Sequence, residues 1–325
     1  LTRSSAASDV YKRQHYENDI TNIFDELETV RNLLNSCKSL RSASDFNNAL
    51  ESLDVTDCNF STIFKNIDGN KTNFDSFAVD VHQLQHDFSV VGLAETNCDP
   101  SCKDLFPLDN YCSFYQDIHP TKLKGTGVAL YVHTSLNATK IDNISQCTEN
   151  LESLFIQLQM GNRSYTVGVI YNPPSGDDLK FVTELSDILA KCPTKNLKIM
   201  GDFNFDLHQL AGPNSQAFED LILEQGIYPL ISVCTHVKPG CRETCIDNIL
   251  SNSPSDVMVS GTIESDASHH HAVFQLSNVT HSSVTKEAEK QYYDFCKSNV
   301  ELFLCDLEKY ACLLYTSDAA DDRVS

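Results

Sequence analysis

Leu197-Lys-Ile-Met-Gly-Asp202-Phe-Asn204 is the stretch on which the reading of this chain turns. A short apolar run bounded by a glycine is the mark of a buried strand, and here the run stops at a carboxylate with an amide two residues further on. Residues two apart in extended backbone share a face, so Asp202 and Asn204 leave the strand end on the same side. The arrangement recurs along the chain. Val90-Val-Gly-Leu-Ala-Glu95-Thr96 puts a carboxylate directly after an apolar run, Cys245-Ile-Asp247-Asn-Ile249 places one inside a run, and Ser268-His269-His270-His271-Ala-Val-Phe274 opens a run with imidazoles. One Asp or Asn at a strand end is ordinarily a turn former. Several strands that all end in groups able to bind metal or phosphate form a pattern.

Outward from these stretches, strands are expected at Ser61–Ile67, Ser89–Ala94, Gly127–Val132, Leu154–Gln159, Tyr165–Tyr171, Leu197–Gly201, Ile246–Leu250, Asp256–Ile263 and Ala272–Leu276. Helices are expected at Phe74–His86, Leu179–Lys191 and Ser215–Gln225, each with apolar residues three or four apart. The segment Glu17–Leu40 has the spacing of an amphipathic helix, followed by a Ser-, Asp- and Asn-rich linker with a short helix near Phe46–Leu53. Many strands with a few interspersed helices suit two packed sheets covered by helices.

In chain order, these segments resemble those of the endonuclease/exonuclease/phosphatase superfamily, and within it the endonuclease domains of non-LTR (LINE-type) retrotransposon polyproteins. Gly201-Asp-Phe-Asn204 resembles the GDFN signature and Leu93-Ala-Glu95-Thr96 the segment with the metal-binding Glu. Ile170-Tyr171-Asn172-Pro-Pro-Ser175 is similar to YRPPS, Gly125-Thr-Gly-Val-Ala-Leu-Tyr-Val132 to GGVALYV, and Thr244-Cys-Ile-Asp247-Asn-Ile-Leu-Ser-Asn252 to IDNIxxN. Ser268-His-His-His-Ala-Val-Phe274 is similar to SDHHAVF, and Phe64-Lys-Asn66-Ile-Asp-Gly69 resembles the opening strand. The similarity runs from about Ser61 to Leu276.

The resemblance implies a DNase I-like four-layer α/β sandwich, with two mostly antiparallel sheets flanked by helices. It implies a Mg²⁺- or Mn²⁺-dependent endonuclease that nicks target DNA and leaves a 3′ hydroxyl for a reverse transcriptase domain of the same polyprotein. Hard oxygen ligands suit such a cation, which keeps waters and substrate phosphate in its shell. On this reading Glu95 is the principal metal ligand with Asn66 beside it, Asp202 orients or deprotonates the attacking water, and Asn204 and Tyr171 steady the phosphate. His270 donates to a phosphate oxygen, with Asp247 holding its ring in the useful tautomer. Two positions depart from the pattern. His269 stands where relatives have Asp, unless Ser265-Asp266 is the displaced pair, and Asn172 stands where they commonly have Arg. Besides the nicking endonuclease, two readings stay open: a decayed, non-enzymatic DNA-binding remnant, and a phosphoesterase of the same fold acting on a small phosphorylated substrate.

The ends read differently from the middle. One DNA string translated in opposite directions yields both Ser4–Gln14 and Cys312–Asp321, as a sequencing adapter would. The expected organisation is therefore an adapter-like head (1–14), an N-terminal helix and linker (15–57), the endonuclease/exonuclease/phosphatase domain (58–279), a linker towards a reverse transcriptase domain (280–311) and an adapter-like tail (312–325). The formal charge of −21, from 24 Lys and Arg against 45 Asp and Glu, makes the chain a poor general electrostatic binder of DNA. Metal and local basic loops must then offset that charge. The 13 cysteines include Cys98 with Cys102 and Cys241 with Cys245, which could make a zinc site but read better as free thiols. No apolar run is long enough to span a bilayer, so no membrane partner is expected. The expected location is intracellular, and nuclear when acting on DNA.

Overall fold

The apolar runs form two seven-stranded mixed sheets in a computed structural model, which describes residues 25–52 and 58–279 apart from 103, 123, 194, 210, 211, 266 and 267. These residues belong to the first of two compact units, Leu1–Thr280; the second, His281–Ser325, lies outside the described residues, as do residues 1–24. In chain order the elements are α1 (25–36), β1 (Lys38–Leu40), α2 (Ala43–Ser52), β2 (Phe60–Asn66), α3 (Asn70–Gln83), β3 (Val90–Ala94), β4 (Tyr111–Tyr115) and β5 (Val128–His133). They continue with β6 (Asn137–Lys140), β7 (Gln146–Cys147), β8 (Glu152–Met160), β9 (Arg163–Tyr171), α4 (Asp178–Leu189) and β10 (Leu197–Asp202). The last are α5 (Pro213–Glu224), β11 (Tyr228–Pro229), β12 (Asp247–Ser251), β13 (Val257–Ile263) and β14 (Ala272–Ser277). The first sheet has the order β1-β13-β14-β2-β3-β5-β4, and the second β11-β12-β10-β9-β8-β6 with β7 also paired to β8.

Alternation along each strand sorts side chains between layers. On β3, Val90 and Ala94 enter the core between the sheets, while Val91 and Leu93 pack outward on Phe74, Phe77 and Val81 of α3. On β9, Val167, Val169 and Tyr171 face the same inner core, and Ile170 faces Phe181 and Leu185 of α4. Three apolar clusters therefore separate four layers, helix, sheet, sheet and helix. α4 starts where the Asp177 side chain accepts from the amides of Leu179 and Lys180, an N-cap beside the further acidic Asp178. α5 starts with Pro213, whose missing N–H falls among those a helix leaves unpaired anyway.

Where structure and expectation differ, short-range pattern had been overridden by pairing. The helix expected over Glu17–Leu40 stops at residue 36, and Lys38–Leu40 instead pairs parallel with Gly261–Ile263. A Cβ on Gly261 would sit 2.4 Å from the Lys38 carbonyl oxygen, so this edge contact needs that glycine. The short helix expected near Phe46–Leu53 is α2, which starts three residues earlier and buries Phe46 against Phe88 and Phe274. α3 begins four residues before the expected Phe74, at Asn70. The short edge strands β1, β4, β6, β7 and β11 were not anticipated. Among the described residues no helix is long and apolar enough to cross a membrane.

Gly201 is fixed by the closest backbone approach. Its missing Cβ would lie 2.1 Å from the carbonyl oxygen of Ile170 on the neighbouring strand β9, and backbone cannot yield there. Gly201→Ala is expected to destabilise the domain by about 2–3 kcal/mol, measured as a lowered urea midpoint at unchanged slope.

Candidate active site

Four strands of the second sheet place four polar residues in one row. Glu152 opposes Tyr171, Tyr171 opposes Asp202, and Asp202 opposes Asp247. Registered partners share a face, so all four side chains point towards the first sheet. Each then bonds to a group that the first sheet presents. Glu152 accepts from Thr126 Oγ1 and from the Gly127 amide, both at 2.5 Å, and the Tyr171 hydroxyl donates to Glu95 Oε1 at 2.9 Å. Asp202 Oδ2 accepts from Asn66 Nδ2 at 2.9 Å, and Asp247 Oδ1 and Oδ2 lie 3.1 and 2.9 Å from His270 Nδ1.

Asn66 joins the two halves, because its Nδ2 also donates to Glu95 Oε1 at 2.7 Å. Its Oδ1 accepts from the Asp68 amide at 3.1 Å, so the atom able to ligate a cation is turned to the backbone. Glu95 sits just past β3 in left-handed backbone at φ 53°, unusual for a side chain without a local bonding partner of its own. Neighbouring chain holds it there: Gly69 N donates to the Glu95 carbonyl at 2.8 Å, Thr96 N to Gly127 O at 3.0 Å and Asn97 N to Thr126 O at 2.7 Å. Among the described residues, Glu95 Oε2 accepts no hydrogen bond.

The structure brings Asn66, Glu95, Tyr171, Asp202, Asp247 and His270 together. Asn204, in left-handed backbone at φ 54°, donates its amide to Asp202 Oδ1 at 3.0 Å, while its side-chain Nδ2 bonds the Asn172 carbonyl at 2.6 Å. Asn172 itself is buried and donates to the Phe203 carbonyl at 2.9 Å; it ties β9 to the turn after β10 and faces no solvent. His269 is exposed and stands outside the cluster. It lines an adjoining cleft of about 1130 Å³ with Asp68, Lys71, Asn97, Lys124 and Lys238. Asp266 lies outside the described residues. The two C-x3-C pairs form no metal site among the described residues: Cys98 and Cys245 are buried, Cys241 is exposed, and all are free thiols.

Burial and like charge set the proton affinities. Asp202 is 1% exposed, and burial first, then the Asp247 carboxylate, pushes its carboxyl up to about 7. Burial pulls the His270 ring down, but the charge and hydrogen bond of Asp247, helped by Asp202 and Glu95, outweigh it and raise the ring to about 9. Burial, then Glu95 and Asp202, push the Tyr171 hydroxyl above its ordinary range, so it stays a donor. Asp202, Asp247 and His270 offer ligand atoms within 4.8 Å of one another. His270 Nδ1 faces both oxygens of Asp247, so Asp247 and His270 form a hydrogen-bonded pair beside Asp202.

Sequence reasoning missed Glu152, His236 and Ser268, whose Oγ donates to the Asn66 carbonyl at 2.8 Å. Glu152 was reachable by the strand-end rule, since it opens the run to Leu154; His236 carries no comparable signal.

No protein-family model and no curated protein matches the sequence. Solved structures do match. The endonuclease domain of TRAS1, a telomere-specific non-LTR retrotransposon, superposes with TM-score 0.55 at 13% identity, over 68% of this chain and 99% of that one. AP endonuclease LMAP from Leishmania major gives 0.53 at 13% identity over 76% and 98%, and an AP endonuclease from Archaeoglobus fulgidus 0.50 at 12% over 68% and 100%. This chain has the DNase I-like fold of those endonucleases. The two packed sheets with flanking helices that were expected are thus observed; the sheets, expected to be mostly antiparallel, are mixed, with β1–β13, β2–β3 and β9–β10 parallel.

The proton on His270 makes stability depend on pH. Its ordinary value is 6.5 and its folded value about 9. The folded state therefore binds the extra proton between these limits, and the contribution is complete below 6.5 and lost as pH rises through 9. In chelator, urea unfolding is expected to show up to about 3 kcal/mol of stability disappearing over that window, and His270→Gln is expected to flatten the slope.

Proposed function

We propose that this chain is a divalent-cation-dependent phosphodiesterase that nicks DNA. The observation carrying the reading is that carboxylates far apart in sequence, Glu95, Asp202 and Asp247, are gathered with Asn66, Tyr171 and His270 in one polar cluster where the two sheets face each other. The likeness to endonuclease structures supports the same reaction class, and that to the TRAS1 domain, with the retrotransposon-type segments, supports target nicking that leaves a 3′ hydroxyl for a reverse transcriptase of the same polyprotein.

The donor set fits a hard cation. Glu95 offers a carboxylate oxygen without a hydrogen bond among the described residues, the neighbouring carboxylates are desolvated, and oxygen is the atom such ions take. Glu95 is the ligand we assign, with Asn66 orienting it from the second sphere. When bound, Mg²⁺ or Mn²⁺ supplies charge neutralisation at the phosphate and eases departure of the alkoxide. Asp202, with its affinity moved towards neutrality, takes a proton from the attacking water. His270, protonated and held at Nδ1 by Asp247, presents Nε2 to a phosphate oxygen as charge develops. Tyr171 and Asn204 flank the phosphate position. Lys71, Lys124 and Lys238 in the adjoining cleft offer phosphate contacts, but Asp68, Glu243 and Glu264 line it too, so in a chain of −21 a bound cation has to carry much of the charge compensation.

Supercoiled plasmid nicking, titrated with Mg²⁺ and stopped with chelator, tests the assignment. Asp202→Asn is expected to lower the rate by about 10²–10⁴-fold while leaving the unfolding midpoint near the parent's or above it, because it removes a buried charge. Hydrolysis of a small inositol phosphate instead of plasmid would overturn the DNA reading and leave the reaction class intact. His269 stands where relatives carry a carboxylate, so His269→Asp is expected to raise the rate at limiting Mg²⁺. No gain would place the position outside the catalytic machinery, in line with its exposure.

A further inference from the structure

The loop between β11 and β12 ties both halves of the Asp247–His270 dyad together. Thr235 is buried, and its Oγ1 accepts from the amides of Ile246 and Asp247 at 3.1 and 3.0 Å. Its carbonyl accepts from the His271 amide at 2.6 Å, and Val237 N donates to the His269 carbonyl at 2.9 Å. Between them His236 bridges in antiparallel fashion to Thr244 on one side and to His270 on the other. Its half-buried ring lies against the His270 ring with centroids 4.6 Å apart and planes tilted by 43°. Residues 235–237 are therefore a strap whose backbone joins the Asp-bearing and His-bearing segments and whose one aromatic side chain covers the imidazole.

We propose that His236 is a positioning residue for His270: its ring covers one face of the imidazole while Asp247 holds the Nδ1 edge, so that Nε2 stays aimed at the reacting phosphate. The proposal rests on the hydrolase reading above and adds to it the element that orients its acid. A hydrogen bond at one edge leaves the imidazole free to pivot about that bond. A second contact on the ring face removes the pivot, and ring pairs at this separation are favourable in their own right. The groups facing His236 are His270, Asp247, His269 and Lys238. Burial first, then His270, hold the His236 ring below the usual histidine value, with His269 and Lys238 acting the same way and Asp247 opposing them. At neutral pH an uncharged ring thus meets a protonated one, the arrangement in which a π-face attracts a cation instead of repelling it.

Two variants of the full chain separate positioning from chemistry. His236→Ala is expected to lower kcat for plasmid nicking by about 10–100-fold with KM for DNA little changed, and His236→Phe, which keeps a ring face without a titrating nitrogen, is expected to recover most of that loss. The second readout is the His270 Nδ1–H resonance in ¹⁵N-histidine-labelled protein, assigned by its disappearance in Asp247→Asn. It is expected to be sharp in the parent and in His236→Phe, and broadened or lost in His236→Ala. An alanine variant that keeps the resonance, whether slowed or not, overturns the proposal. So does a phenylalanine variant as slow as the alanine one, which would make the His236 nitrogen itself a participant. If the parent nicks nothing, the hydrolase reading fails, and the resonance comparison still decides whether His236 orients His270.

Discussion

One registered row of side chains holds the two sheets in the relation that makes a site. Glu152, Tyr171, Asp202 and Asp247 lie side by side across four strands, and each bonds to a partner from the first sheet. Apolar contact between sheet faces is non-directional and would tolerate sliding. Four hydrogen-bonded pairs along one line do not, because a shift of one residue would turn the whole row to the opposite face. The cluster is thus both the candidate site and the part of the interface that specifies register. A buried polar network stabilises only when all its members are satisfied, and here the satisfied members come from both sheets.

The same arrangement accounts for the charge state. Burial and the neighbouring Asp247 carboxylate together raise the proton affinity of Asp202, which Asn66 reaches directly. Asp247 has His270 as its partner, so the pair retains its proton well above the ordinary imidazole range. Two carboxylates on adjacent strands therefore have different work open to them, one as an acceptor of protons and one as a holder of a cationic ring. The environments that separate them are set by β10 and β12 packing against β2 and the loop before β14.

Much of this was legible in the residues. The buried strands read clearly because β2, β3, β5, β9, β10 and β12 are apolar runs flanked by polar ends, and the polar ends named Glu95, Tyr171, Asp202, Asn204, Asp247 and His270. What was not legible depends on contacts distant in sequence. β1 exists because Gly261 leaves room for the Lys38 carbonyl, and β4 is an edge strand whose Tyr-Cys-Ser-Phe-Tyr carries no clean alternation. Asn172 reads as a lost basic contact in a motif but is a buried tie between strands in space. His236 has no motif at all, and only the path of the loop places it on His270.

The conformation of Glu95 shows how far the support extends. Left-handed backbone at a glutamate is unfavourable by about 1–3 kcal/mol, so it persists only where its surroundings fix it more than once. Thr96 N reaches the Gly127 carbonyl, Asn97 N the Thr126 carbonyl, and Gly69 N the Glu95 carbonyl itself. The Thr126–Gly127 turn is in turn gripped from the second sheet by Glu152, through the threonine hydroxyl and the glycine amide. Gly127 has φ 92°, and a Cβ there would meet Thr96 Oγ1 at 2.5 Å, so the turn can close on Glu95 only with glycine at that point. Glu152, a carboxylate of the second sheet, thereby sets the backbone at Glu95, and it does so across the same interface that aligns Asp202 with Asn66.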